Sequence, residues 1–416
     1  MDTILAEVVG IIALVTLVSA LLGAAARRCG QPVVIGQILT GVVLGPSLLG
    51  RMPGNLTDHL FPHQALPYVT VLGQVAVIVF MFGVGYEIEF ASLRRHGRVV
   101  PLLAVGTVVV PMGLGIACVL LYPSGFAAVG GHPEDRSFLL FIGAATAITA
   151  LPVLASMVRE RGLAGTAAGV IATAAAGIMD VIAWLVLAAA LTGVGSSSAF
   201  SWPVSLVLIC CFVAVMLLGV RPVLSWWVER HQSVLSSPVS TAFVLATGSA
   251  WVTTSLGLHP IFGAFVAGLT MRGSRPPDVD VLRAMEQAGT LLLPLFFIVT
   301  GLSLDVGVVG GQALVLLALI VLVACAGKLG PAYGISRWCG LEPRQSAVVA
   351  TLVNTRGLTE LIALNVGLAA GIINQRLFTI LVLMAFITTL MTGPLLSLIR
   401  PYDARQKVSA EQLTRG

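Results

Sequence analysis

Residues 80–89 read FMFGVGYEIE and residues 296–305 read FFIVTGLSLD. The two strings align Phe80 with Phe296, Gly85 with Gly301 and Glu89 with Asp305. A second pair, GQILTG at 36–41 and GAFVAG at 263–268, sits one apolar run earlier in each half and aligns Gly36 with Gly263 and Gly41 with Gly268. A repeat with so long a period indicates a duplicated half rather than a solenoid unit.

The setting of these strings fixes the fold class. Of 416 residues, 57% are hydrophobic and only 10% are charged, and the mean hydropathy is +1.00. An ordinary soluble domain carries roughly a quarter charged residues, so a soluble globular fold is excluded. A membrane span needs about 20 mostly apolar residues. Thirteen apolar runs meet or approach that length, at 4–25, 32–49, 67–86, 99–121, 138–157, 164–192, 203–220, 238–257, 259–271, 288–304, 312–335, 345–371 and 375–399. The expectation is an all-α integral membrane protein of about 13 transmembrane helices. The repeated strings lie seven runs apart, an odd offset. The two halves therefore cross the bilayer in opposite directions, the inverted repeat common in secondary transporters.

Charge supports the same path. The net charge of +5 would suggest nucleic acid in a soluble protein, but here the basic residues lie between apolar runs and report topology, because cytoplasmic loops concentrate Lys and Arg. Arg51, Arg136 and Arg376 fall on one side of a thirteen-span path, Lys328 and Arg356 fall inside spans, and every other Lys and Arg falls on the opposite side. An N-terminus outside and a C-terminus in the cytoplasm follow. The first run lacks a basic leader and a small-residue cleavage site, so it reads as a retained helix. Cys29, Cys118, Cys210, Cys211, Cys325 and Cys339 have no metal-ligand spacing and read as packing residues. Most histidines lie in loops; His259, at a helix start, reads as a cap or packing residue.

Ionisable groups inside a bilayer are expensive and mark function. Asp180 interrupts the otherwise apolar run at 164–191. A carboxylate there must ionise beside a cation, take up a proton, or touch a water-filled cavity, and these are also the steps of an exchange cycle. Lys328 sits among Ala324, Ala326, Gly327 and Gly330, small residues that permit close helix packing and keep the ammonium facing protein; it reads as a counter-charge or a second proton site. The runs GAATAITALP (143–152) and NTRGLTE (354–360) combine helix breakers with hydroxyl and amide groups, again seven spans apart. Such paired interruptions point to a transport site built from broken helices, with Thr146, Thr149, Asn354 and Thr355 among their polar side chains. Arg356 and Glu360, four apart, form a possible local ion pair.

The strings IGQILTGVVLGPSLLG (35–50), TALPVLASMVRERGL (149–163), DVIAW (180–184), LGLHPIFGAFVAGL (256–269), LLPLFFIVTGLSLD (292–305), LVNTRGLTELI (352–362) and LVLMAFITTLMTGPL (381–395) resemble, in order, the monovalent cation:proton antiporter family, in the branch with bacterial potassium-efflux antiporters, sodium/proton exchangers and plant cation/proton exchangers. The resemblance implies a six-helix core (about 99–192 and 312–399) with two crossing broken helices, a panel (about 1–90 and 238–305) that usually dimerises, and a linker helix near 203–220. It implies that Asp180 binds cation or proton, that Lys328 is the basic core residue, and that Thr146, Thr149 and Asn354 belong to the crossover. Three positions depart from the family pattern. Met179 stands where a second acid, Asn or Gln is common; Ile182 replaces a usual Thr, and Gln37 a usual Glu. Without a carboxylate at 179, Lys328 is left unpaired or finds Glu360.

The function expected is secondary exchange of Na+ or K+ for protons across the cytoplasmic membrane by alternating access, without enzymatic activity. No cofactor, no nucleic acid, no nucleotide-binding domain and no metal other than the transported cation at Asp180 are expected, and lipid and a second copy of the chain are the expected partners. Two other readings stay open on the residues alone: a diverged member moving another solute or protons alone, and a membrane-embedded enzyme or sensor on the same scaffold. Residues 401–416 read as a short, polar cytoplasmic tail.

Overall fold

In a bilayer every backbone N–H and C=O must be paired within the protein, so long apolar runs fold as helices. The computed structural model describes residues 2–51, 56–87, 98–191, 202–230, 237–256, 260–272, 278–304, 306–308 and 310–399. Glu89, Asp305, His259 and the 401–416 tail lie outside the described residues. The described chain is helical. Nine helices are long and apolar enough to cross a membrane among the described residues, with shorter apolar helices at Arg136–Ala147, Cys210–Trp226 and Pro260–Arg272.

Short helical turns aside, the elements are α1 (Asp2–Arg28), α2 (Val33–Leu44), α3 (Leu66–Glu87), α4 (Val99–Leu121), α5 (Arg136–Ala147), α6 (Leu151–Glu160), α7 (Ala167–Leu191), α8 (Trp202–Ala214), α9 (Arg221–Arg230), α10 (Pro238–Ser255), α11 (Pro260–Arg272), α12 (Val279–Leu302), α13 (Gln312–Trp338), α14 (Pro343–Val353), α15 (Leu358–Ala369) and α16 (Gln375–Ile399). A π-helical stretch, Val215–Val220, joins α8 to α9. The helix α12 begins well before the apolar run at 288–304. The Asp278 carboxylate accepts from the backbone N–H of Asp280 at 2.8 Å and of Val281 at 3.4 Å, an N-cap that starts the helix in polar sequence. The apolar reading missed those turns because Asp280, Arg283, Glu286 and Gln287 interrupt the apolar residues Val281, Leu282 and Met285 there.

Two groups of helices emerge from the packing. In one, α3 packs on α11 and α12, α2 on α1 and α12, and α11 on α10. In the other, α4 packs on α5, α7 and α13, α13 on α14 and α16, and α7 on α14. Between the groups, Asn365 donates to Thr300 Oγ1 at 3.1 Å, and Arg159 pairs with Glu87 at 3.2 Å and Glu286 at 3.7 Å.

Glycines set the closest approaches in the first group. A Cβ at Gly41 would run into the Phe297 carbonyl and Gly301, and one at Gly268 into the Phe82 carbonyl and Gly85. A Cβ at Gly36 would strike Leu22 and Gly23 of α1, and one at Gly263 would strike Ser249 of α10. The glycines aligned in the sequence repeat thus occupy equivalent contacts. Exchanging Gly41 for Gly268 and Gly301 for Gly85 turns one crossing into the other, and exchanging α1 for α10 does the same for Gly36 and Gly263. Small residues at such positions let backbones meet where lipid offers no hydrophobic drive to association.

Candidate functional site

The chain leaves helical geometry twice inside the second group. Between α5 and α6 the break falls at residues 148–150, before a Pro in the first turn of α6; proline lacks the N–H that would carry the α5 helix on through this point and is tolerated in a helix's first turn. Between α14 and α15 it falls at 354–357, where Gly357 has φ +154° and a Cβ would press on Val153. Only glycine adopts that backbone readily.

Breaking two buried helices frees backbone groups that must be satisfied. Each break supplies partners for the other. The Ala150 N–H donates to the Thr355 carbonyl at 3.1 Å, and the Thr359 hydroxyl faces the Thr149 carbonyl at 3.4 Å. Arg356 donates through Nη1 to the Ala145 carbonyl and through Nη2 to the Thr146 carbonyl, closing the C-terminal end of α5 where the helix dipole is negative. The same Nη1 meets Glu360 Oε1 at 3.0 Å, with both side chains fully buried; Glu360 lies in the first turn of α15, the positive end of that helix. Thr389 of α16 holds the backbone of Arg356, accepting from its N–H at 3.1 Å and donating to its carbonyl at 2.8 Å. Thr146 binds the Gly143 carbonyl at 2.8 Å and faces the Pro111 carbonyl of α4 at 3.0 Å. Asn354 reaches Cys325 Sγ at 4.0 Å, and Thr355 reaches Met157 Sδ at 3.9 Å.

Asp180 stands beside these two breaks, 1% exposed. Neither carboxylate oxygen has a hydrogen-bond partner among the described residues; the Leu151 N–H at the start of α6 faces it, short of hydrogen-bond geometry. A crevice lined by Ile148, Ala183, Trp184, Leu187, Thr359 and Ala363 opens onto Asp180. A buried acid with free acceptor atoms is ready to take a proton or a cation. Asn354 Oδ1 and Glu360 Oε2 are likewise buried without a partner among the described residues.

Lys328 is fully buried on α13. It forms no ion pair with Glu360, which is engaged by Arg356. Its Nζ donates instead to Thr149 Oγ1 at 2.5 Å and lies 3.9 Å from Met179 Sδ. The Met179 sulfur also faces the hydroxyls of Thr149 at 3.3 Å and Thr107 at 3.4 Å. Asp180, Met179, Thr149 and Lys328 are thus brought together, with Thr146, Asn354, Thr355, Arg356 and Glu360 at or next to the adjoining breaks. Ile182 is half-buried on α7 one residue from the crevice-lining Ala183, and Gln37 is buried on α2, which packs in the other helix group. Sequence reading missed Thr107, Thr359 and Thr389. Each is a hydroxyl within an apolar run, the signal that could have found it.

A family profile described as sodium/hydrogen exchanger, transmembrane, matches residues 14–399. The chain is 36% identical over 402 residues to Cation/H(+) antiporter 19 of Arabidopsis thaliana, covering 93% of this chain and 49% of that protein. It is 35% identical over 412 residues to the Na(+)/H(+) antiporter NhaS4 of Synechocystis, covering 96% and 98% respectively. The chain therefore spans about half the length of the plant relatives it matches and nearly all of the cyanobacterial one. Among solved structures, the sodium proton antiporter MjNhaP1 from Methanocaldococcus jannaschii superposes with a TM-score of 0.68 at 15% identity, over 94% of this chain and 96% of that one. That likeness is one of fold.

Proposed function

The chain belongs to the transmembrane sodium/hydrogen exchanger family, and from that premise we propose that it is a secondary antiporter exchanging a monovalent cation, Na+ or K+, for protons by alternating access. Asp180 is the shared site: it holds a cation on one leg of the cycle and a proton on the other. The observation that carries this reading is a buried carboxylate in a bilayer-length helix, with neither oxygen hydrogen-bonded among the described residues, beside two mutually satisfied helix breaks. The family and the proton-coupled names of the relatives support it.

The finer architecture belongs to the same proposal. The chain makes thirteen spans with its N-terminus outside and its C-terminus cytoplasmic, as the distribution of Lys and Arg supports. Residues 1–90 and 238–305 form a panel that pairs with a second copy in the cytoplasmic membrane, and 99–192 and 312–399 form a core whose two broken helices cross; 203–220 link them. The equivalent glycine contacts of the two halves support an inverted repeat, and the two helix groups support the division. The test is cation-dependent pH change in proteoliposomes given Na+ or K+ in turn. Flux with either cation is expected; no cation-dependent proton movement with both would refute the assignment.

A further inference from the structure

A fully buried ammonium carries three N–H donors and needs acceptors, because leaving them unpaired in a low-dielectric interior is costly. Around Lys328 the charged groups are Asp180, Arg356 and Glu360, yet none bonds to it. Glu360 gives its Oε1 to Arg356 and its Oε2 makes no hydrogen bond to the ammonium, and residue 179, the neighbour of Asp180 that packs against the ammonium, is a methionine. Among the described residues, the one oxygen that accepts from Lys328 is Thr149 Oγ1 at 2.5 Å. Thr149 accepts there and has one proton to give. That proton points to the Met179 sulfur at 3.3 Å or to the Val353 carbonyl at 3.2 Å, the last residue of α14 before its break. A thioether is a weak, uncharged acceptor, so Met179 supports the hydroxyl without drawing the ammonium away from it.

We propose that Thr149 is the positioning residue for Lys328: its hydroxyl holds the ammonium in the place a second carboxylate would take, and ties that hold to both helix breaks at once. The geometry follows from Thr149 standing in the 148–150 break itself, where its buried side chain reaches Lys328 of α13, Met179 of α7 and Val353 of α14 together. Thr149 touches the ammonium and acts on exchange through it; the proposal rests on the exchange reading for its effect on transport and on the hydrogen bond alone for its effect on Lys328.

The two effects are separable. In proteoliposomes, Thr149→Val is expected to lower the maximal exchange rate about tenfold, the worth of one hydrogen bond to a charged group, while Thr149→Ser keeps most of it. In a Lys328→Gln background Thr149→Val should change the remaining rate less than about twofold, since coupled groups are not additive. An equal loss in both backgrounds, or a serine variant as poor as the valine, overturns the proposal. The chain has only two lysines, Lys328 and Lys407, so nitrogen-15 lysine labelling gives two side-chain signals. Exchange of the Lys328 ammonium protons with water should speed up about tenfold in Thr149→Val and stay unchanged in Thr149→Ser. Unchanged exchange in the valine variant overturns the proposal, even if the wild-type chain moves no cation and the exchange reading has failed on its own. Should Thr149→Val not fold, Met179→Leu removes the sulfur and keeps the volume; a Lys328 signal unmoved by it would equally refute the supported hydroxyl.

Discussion

Replacing Asp180 by Asn changes one charge and almost no volume, which makes it the sharpest perturbation of this chain. The carboxylate is 1% exposed, so solvent screens it little, and neither oxygen has a hydrogen-bond partner among the described residues. A unit charge pair at about 4 Å is worth about 4 kcal/mol at an effective dielectric of about 20. Losing that attraction weakens cation binding about a thousandfold. The amide also cannot carry the proton back, so net exchange should fall below detection. Folding should survive, because no hydrogen bond is lost and a change without cavity, strain or unpaired charge costs within about 1 kcal/mol. The assay pairs cation-dependent proton flux, read by a pH-sensitive dye inside proteoliposomes, with thermal unfolding in detergent. Normal flux from a folded Asp180→Asn protein would refute the shared-carboxylate mechanism.

Four further outcomes are expected. If proton and cation share Asp180, the apparent KM for the cation rises about tenfold per pH unit as pH falls through the range where the site takes up protons; an affinity indifferent to pH there contradicts sharing. With one carboxylate at the site and Met179 beside it, one cation moves against one proton, so transport in sealed vesicles should ignore an imposed potential; a voltage dependence abolished by Lys328→Gln would instead make the lysine a second proton carrier. Arg356→Ala strands a buried Glu360 and two helix-end carbonyls and should cost about 3–5 kcal/mol, more than Glu360→Gln, after which Arg356 keeps its carbonyls; equal melting temperatures for the two variants would argue against that linkage. Gly268→Ala drives a methyl into the α3 backbone and should cost about 1–3 kcal/mol, whereas Gly10→Ala, with nothing within 4 Å, serves as the silent control; identical melting of both would discount the close crossing.

The helices, the two interruptions and Asp180 were legible because each is written locally: a run of apolar residues, a Pro or Gly among hydroxyls, one charge in an apolar stretch. The partner of Lys328 was not. It lies 179 residues away at Thr149, and a threonine in a string of alanines gives no sign of which ammonium it will meet. The same holds for Arg356. Its pairing with Glu360 could be suggested from the four-residue spacing, but its grip on the Ala145 and Thr146 carbonyls depends on two breaks lying side by side. Met179 was read as unable to serve Lys328, because sequence ranks side chains by charge; the sulfur still takes part, as a neutral acceptor behind the hydroxyl.

The glycine crossings impose a timetable on synthesis. α2 meets α12 through Gly41 and Gly301, and α3 meets α11 through Gly85 and Gly268, so, although α2 also packs on α1 through Gly36, neither of these crossings joins helices adjacent in the sequence. Between the making of Gly85 and of Gly268 about 180 residues must be added, roughly 10–40 s at about 5–20 residues per second. Throughout that wait the notched faces of α2 and α3 lie open to lipid or to the insertion machinery. A ribosome that stalls in the middle of the message would therefore release helices already threaded through the bilayer yet lacking their counterparts, a ready substrate for membrane quality-control proteases.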